Sequence, residues 1–226
     1  MSDRLVLRST GLGSDTARMI TLRPVLEVSS HEGFALWPVA QTGWFLPLDG
    51  SLSPAEIGSA VMTVAKGCSR CAAVGSPPPA GDEVETFLHG MLTAQRVSAF
   101  GGLSLEDSLT GVSVDPGCCV ALGEWRGWYG LLDGTGAYLG HNPSPGSELV
   151  DGVVRMTADA EEADSPTLEV PVADLRRLLA GVERDLTDFV GAVSDWAAHH
   201  APSRASDLVA SLARALDVPV PVPSRS

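Results

Sequence analysis

The sequence predicts an α+β fold: a mostly antiparallel sheet with a long C-terminal amphipathic helix packed on one face. Short apolar runs, separated by turn residues, fill the first 50 residues and are typical of strands. Their connections are too short for crossover helices, which favours antiparallel pairing. From 172 to 200, apolar residues recur at helical spacing for nearly eight turns. Burying about ten of them at ~1.5–3 kcal/mol each would make this helix a main source of stability.

The N-terminal strands are predicted at RLVLRS, RMITLRPVLEV, GFALWPVA and GWFLPL, with prolines at 24, 38 and 47 placing some of them at sheet edges or strand ends. A helix is predicted over 54–66, with Ser53 as its N-cap and Gly67 ending it. A second helix is predicted over 83–98, beginning at Asp82.

The loop between these helices contains Pro77 to Pro79 and is the candidate boundary between two parts. They are a β-rich N-terminal part, 1–76, and an α+β C-terminal part, 82–218, unless both form one continuous domain. The C-terminal part is predicted to contain a strand at 111–115, a helix at 120–132, strands at 136–140, 149–156 and 166–170, a hairpin loop at 158–166, the helix 172–200 and a helix at 204–216.

The composition excludes several classes of function. The 226 residues include 28 acidic and 15 basic side chains, a net charge of -13 that argues against nucleic-acid or anionic-membrane partners. We find no signal peptide and no apolar run of about 18 residues, so we expect neither export nor a membrane span. Four cysteines without an export signal are expected to stay reduced in the cytoplasm, and the residue usage is typical of a high-GC bacterial gene. No cofactor-binding loop is recognisable, so no cofactor is predicted.

The cysteines allow two interpretations. Cys68 and Cys71 form a CxxC pair, and with Cys118 they could supply three zinc ligands, completed by His89 or His141. Because neighbouring side chains point apart in most backbone conformations, only one of Cys118 and Cys119 is expected to ligate easily. The alternative, that the cysteines are small hydrophobic residues packing the join between the two parts, is favoured.

Residues 100–156 are the candidate recognition segment, because they combine vicinal cysteines, aromatic residues and a Gly-His-Asn-Pro turn. His141 lies at the end of a predicted strand and is assigned to a rigid turn, a binding surface or a Ser-His pair with Ser144. Trp125 and Trp128 lie three residues apart on one helix face. Together with Arg126 they form either core or an exposed interface patch.

The segments PGCC, EWRGW and YLGHNPSP, in this order, resemble a family of uncharacterised proteins from high-GC bacteria over residues 100–200. The resemblance implies no activity. A looser likeness, in the order of elements, is to the SUKH superfamily of bacterial immunity proteins, which implies an α+β domain that binds a partner without catalysis.

These observations favour a non-catalytic interaction or accessory protein, immunity-like, that binds a partner protein through residues 118–146. The acidic charge favours a basic partner, such as a nuclease toxin. The hypothetical binding residues are Cys118, Cys119, Trp125, Arg126, Trp128, His141 and Asn142. The alternative is a small-molecule-binding protein or enzyme whose pocket is lined by Cys118, Cys119, Trp128, His141 and Asn142.

Overall fold

The protein contains two antiparallel sheets with helices packed on them. The computed structural model describes residues 5–7, 18–71 and 82–221. The strands are β1 Leu5–Leu7, β2 Arg18–Glu27, β3 Phe45–Pro47, β4 Gly101–Asp107, β5 Ser113–Val114, β6 Gly146–Val150, β7 Val153–Thr157 and β8 Thr167–Pro171. The helices are α1 Pro54–Cys71, α2 Glu83–Thr93, a 3₁₀ helix Leu122–Leu132, α3 Val172–His200, a short 3₁₀ turn Pro202–Arg204 and α4 Ala205–Ala215.

Helix α3 confirms the predicted α+β architecture. It begins directly after β8 and contacts β2 of the larger sheet, as well as α1, α4 and the 3₁₀ helix. All ten apolar positions of its predicted buried face are buried: Leu175, Leu178, Leu179, Val182, Leu186, Phe189, Val190, Val193, Trp196 and Ala197. The helical spacing therefore identified the main packing face of the C-terminal half correctly.

Strand β2 lies at the centre of the larger sheet. It pairs with β1 and β3 along one edge and with β4 along the other, and β4 pairs with β5. Pro24 is tolerated in this strand because its carbonyl points away from β4 and accepts a hydrogen bond of 2.8 Å from the Leu48 N–H. An N–H at this position would point to the same side of β2, between the residues that pair with β1 and those that pair with β3, so its absence breaks no hydrogen bond between strands.

The larger sheet joins residues of both predicted parts. Strand β2, from 1–76, pairs over seven residues with β4, from 82–218. One hydrophobic cluster includes side chains from α1, β4, α3 and α4. Residues 72–81, which contain the predicted boundary loop and Pro77 to Pro79, lie outside the described residues.

The 3₁₀ helix gives the segment 122–132 a repeat of three residues per turn, where the sequence predicted a helix without specifying its type. Residues three apart eclipse one another in this geometry. The buried positions follow this spacing: Leu122, Trp125, Trp128 and Leu131. Both tryptophans therefore belong to a single apolar stripe that faces the core.

Several predicted boundaries are wrong. Helix α1 has the predicted N-cap, Ser53, whose Oγ accepts a hydrogen bond from the Glu56 N–H while the Glu56 carboxylate accepts one from the Ser53 N–H, but the helix continues through Gly67 to Cys71. Helix α2 ends at Thr93. Residues 33–40 and 136–140 contain no strand. Strand β4 was not foreseen, since its Gly-Gly start and acidic end do not resemble a strand.

Asp185 is a carboxylate placed on the buried side of α3, where only 8% of the residue is exposed. Burial raises its pKa to about 6, the nearby carboxylates Asp49 and Asp188 act in the same direction, and Arg184 opposes them. The folded protein therefore binds the carboxyl proton of Asp185 more tightly than the unfolded chain does. The resulting stabilisation is complete below the unfolded pKa of about 4 and is lost as the pH rises through about 6.

We expect Asp185→Asn to raise the free energy of unfolding by about 2 kcal/mol at pH 8, because the amide removes the cost of a buried charge. The gain should disappear at pH 4, where Asp185 is protonated in the folded protein. Urea denaturation at the two pH values measures the difference. Asp195→Asn, at an exposed position of the same helix, is the matched control. Equal gains at pH 4 and pH 8 would contradict the raised pKa.

None of the helices in the described ranges has both the length and the apolar character that crossing a membrane requires.

Candidate functional site

Two thiols and an imidazole converge at one edge of the molecule. The ligating atoms of Cys118, Cys119 and His141 all lie within 4.8 Å of one another, and all three residues are exposed. Cys118 Sγ and Cys119 Sγ are 2.9 Å apart and share a hydrogen bond. Sulfur and imidazole donors in this proximity form a potential site for a thiophilic metal ion.

A short antiparallel bridge between Cys118 and His141 brings the cluster together. The Cys118 N–H donates to the His141 carbonyl at 2.7 Å, and the His141 N–H donates to the Cys118 carbonyl at 3.3 Å. Gly117 and Gly140 allow the two segments to approach closely. A Cβ added at Gly117 would lie 2.2 Å from the Pro143 carbonyl oxygen, so this position has no room for a side chain.

The backbone of Cys119 explains why both thiols point to the same place. Its φ of 69° is in the left-handed region, which residues other than glycine rarely adopt. The expectation that neighbouring cysteines diverge applies to extended and helical backbones, and it is wrong here. Both thiols reach the cluster, instead of one.

The cysteines of the predicted zinc site are not all brought together. Cys68 is packed in the hydrophobic core at 5% exposure, as the alternative interpretation expected. Cys71 is the last residue of α1, and its side chain lies outside the described part of the structure. Of the predicted zinc ligands, Cys118 and His141 are in the cluster of described residues, and Cys119 joins them.

The surroundings of Cys118 raise the pKa of its thiol above the ordinary value of a cysteine. The hydrogen bond with Cys119 raises the pKa of Cys118, and desolvation and the charges of Cys119 and Glu27 act in the same direction. A thiol of this kind is a weaker nucleophile at neutral pH than a thiol whose pKa is lowered.

A cleft of about 400 Å³ borders the two thiols. It lies where the end of β2, the helix α1 and the start of β4 meet. Its lining residues are Glu27, Val28, Ser29, Thr63, Val64, Gly67, Ser98, Phe100, Cys118 and Cys119. Phe100 is 47% exposed, so part of its surface is open to solvent at the cleft.

The cleft is held in place by backbone contacts. The Glu27 N–H donates to the Phe100 carbonyl at 2.9 Å, and the Ser29 N–H donates to Thr63 Oγ1 at 3.3 Å. On the other side of β2, the Val28 N–H donates to the carbonyl of Trp44, whose residue is 72% exposed. Two exposed aromatic residues therefore flank the end of β2.

The two tryptophans among the predicted binding residues are buried. Trp125 and Trp128 are 2% and 6% exposed, so they are part of the core rather than of an exposed patch. Arg126 is half-exposed but engaged: its guanidinium donates to Glu183 and Asp217 at 2.8 Å and stacks over the Trp125 ring. Arg126 therefore ties the 3₁₀ helix to Glu183 of α3 and to Asp217, which follows α4.

Asn142 and Ser144, in the same turn as His141, have different hydrogen-bonding partners. The Asn142 amide is 3.4 Å from His141 Nδ1, so Asn142 adjoins the cluster. The Ser144 hydroxyl donates to Glu161 at 2.7 Å and not to His141, so the Ser-His pair considered above is not formed. Glu27 and Thr63 were not predicted as site residues, because they lie far from the candidate recognition segment 100–156 and carry no motif. Phe100, the first residue of that segment, was not singled out either.

Comparisons with known proteins give no further guidance about this site. The chain matches no protein-family model, and the searches of curated proteins and of solved structures find no significant match.

Proposed function

We propose that this protein is a non-catalytic binding protein that recognises a basic partner protein at the cleft between β2, α1 and the Cys118–Cys119 turn. The observation that carries the proposal is the combination of the exposed Phe100 ring and the Glu27 carboxylate in one preformed cleft. The proposed binding surface includes the start of the segment 118–146 and extends beyond it to β2 and α1.

The chemistry of the cleft suits a cationic side chain. Among the described residues that line it, Glu27 is the one with a formal charge at neutral pH. An arginine or lysine side chain entering the cleft would pair with this carboxylate and lie against the Phe100 ring, which attracts cations through its face. Lys66, on α1, donates a hydrogen bond of 2.6 Å to the Ser30 carbonyl and is not among the described residues that line the cleft.

Long-range electrostatics support the same class of partner. The net charge of -13 accelerates the encounter with a basic protein and repels nucleic acids. Exposed aromatic residues such as Trp44 and Phe100 are typical of interface positions that contribute most of the binding energy. Binding of this kind involves no chemical step at the cleft. Free thiols such as Cys118 and Cys119 are compatible with the reducing conditions of the cytoplasm.

The small-molecule or enzyme alternative is weaker in one respect. Cys118 and Cys119 line the cleft, which favours a ligand next to the thiols. Trp128, however, lines a separate cavity of about 10 Å³, too small for a ligand larger than water. The five residues assigned to that pocket therefore do not line one common space.

Photo-crosslinking from the cleft tests the proposal. Benzoylphenylalanine at position 100, in cells that express the protein natively, should capture one discrete basic protein. The same probe at position 109 is the matched control, because Leu109 is 53% exposed but follows the opposite end of β4. Purified partner should then bind Glu27→Gln about tenfold more weakly, since an ion pair is lost.

Two results would overturn the proposal. One is equal capture from positions 100 and 109, which would indicate non-specific contact. The other is a captured protein whose affinity is unchanged by both Glu27→Gln and Phe100→Ala, because its binding surface would then lie elsewhere.

A further inference from the structure

We propose that Cys118, Cys119 and His141 bind one zinc ion, with the fourth coordination position left to water. This site does not depend on the proposed partner, because it is argued from the three donors alone. Each of them is exposed, so an ion can reach the site without opening the core.

The donor set matches the coordination chemistry of zinc. Two thiolates and one imidazole are common zinc ligands, with Zn–S near ~2.3 Å and Zn–N near ~2.0 Å in a tetrahedral site. A tetrahedron of this size separates two sulfur ligands by about 3.8 Å. The three donor atoms already lie within 4.8 Å of one another, and the two sulfurs at 2.9 Å need to separate by about 1 Å. Rotation of the exposed side chains suffices for this change.

The backbone around the donors is preorganised. The Cys118–His141 bridge joins the two segments through a pair of hydrogen bonds, and the segments approach so closely at Gly117 that an added Cβ would lie 2.2 Å from the Pro143 carbonyl oxygen. Little conformational order would therefore have to be created when the ion binds.

Zinc binding exchanges two thiol protons, and all but one of the waters of the hydrated ion, for three protein ligands. Two S–H bonds break and their protons go to solvent, while two Zn–S bonds and one Zn–N bond form. The two thiolates neutralise the charge of the ion. The carboxylate of Glu27, close enough to influence Cys118, adds a favourable negative potential. The thiol hydrogen bond between Cys118 and Cys119 is replaced by coordination of both sulfurs.

Competition with a chromophoric chelator tests the site. The full-length protein, stripped of metal and kept reduced with a phosphine, should take up one equivalent of Zn²⁺. Cys119→Ser and His141→Gln should each weaken the affinity at least about tenfold. Cys68→Ala and His89→Gln are matched controls, since both residues were candidates in the sequence and neither is in the cluster. Both controls should bind zinc as the wild type does.

Substitution with Co²⁺ gives a readout that a structural role of these residues would not move. A cobalt ion held by two thiolates should show thiolate-to-metal charge-transfer absorption and the visible bands of a tetrahedral ion. Cys119→Ser should weaken the charge-transfer absorption, while its circular dichroism and thermal midpoint without metal stay those of the wild type. Reduced wild-type protein that binds no Zn²⁺, or zinc affinity that survives both ligand substitutions, would overturn the proposal.

Discussion

Trp125→Ala should lower the free energy of unfolding by about 3–5 kcal/mol, the range typical of removing a large buried aromatic side chain. Trp125 is 2% exposed in the apolar stripe of the 3₁₀ helix. Its indole N–H donates to the Leu216 carbonyl at 3.0 Å, across the interface with the C-terminal segment. The substitution removes both the ring and this hydrogen bond, and leaves a cavity between the two elements. Urea denaturation followed by circular dichroism measures the loss.

Two further variants separate the contributions. Trp125→Phe keeps most of the ring but removes the donor, so it should cost less than the alanine variant while still leaving the Leu216 carbonyl without its partner. Tyr138→Ala removes an aromatic side chain that is 57% exposed and should change stability by less than about 0.5 kcal/mol. If Trp125→Ala proved as harmless as Tyr138→Ala, Trp125 could not be part of the core.

Gly117→Ala should destabilise the fold by about 3 kcal/mol, because the added methyl group meets main chain on the neighbouring segment. The new Cβ would lie 2.2 Å from the Pro143 oxygen and 2.5 Å from the His141 nitrogen. Backbone atoms cannot rotate away as a side chain could, so the segments carrying Cys118 and His141 must separate. Amide hydrogen exchange at Cys118, whose N–H donates to the His141 carbonyl at 2.7 Å, should become faster.

The control for this variant is Gly127→Ala in the 3₁₀ helix. No atom lies within 4 Å of a Cβ built at Gly127, so the methyl group projects into open space. Its stability and the exchange rate at Cys118 should stay close to the wild-type values. An unchanged exchange rate in Gly117→Ala would show that the close contact does not hold the cluster together.

The long helix could be predicted because its signal is local and repeated. Each turn of α3 contributes apolar residues to the same face, and the whole range Val172–His200 agrees with the prediction. The hairpin of β6 and β7 was predicted as a single strand, although the Asp151-Gly152 pair is a recognised turn signal. Both residues have positive φ, 49° and 79°, as a tight hairpin turn requires.

The candidate site was only partly predictable. The segment containing Cys118 and His141 was recognised from its unusual residues, but its geometry depends on the left-handed backbone of Cys119, which no local pattern indicates. Glu27 and Phe100 enter the cleft through the pairing of β2 with the chain before β4. Such non-local pairing leaves no periodic trace in either segment. The role of Trp125 and Trp128 was ambiguous, because a buried helix face and an exposed one both place aromatic residues three positions apart.

The indole hydrogen bond of Trp125 also has a consequence for biosynthesis. Its acceptor, Leu216, is 91 positions further along the chain, so the ribosome must add all of the intervening residues before the contact can form. Until then the C-terminal segment cannot bury Trp125, Trp128 and the neighbouring leucines, and the nascent polypeptide exposes an apolar surface that is prone to aggregation. Chaperones that hold apolar segments during translation would therefore find this stripe accessible until the C-terminal segment has been made.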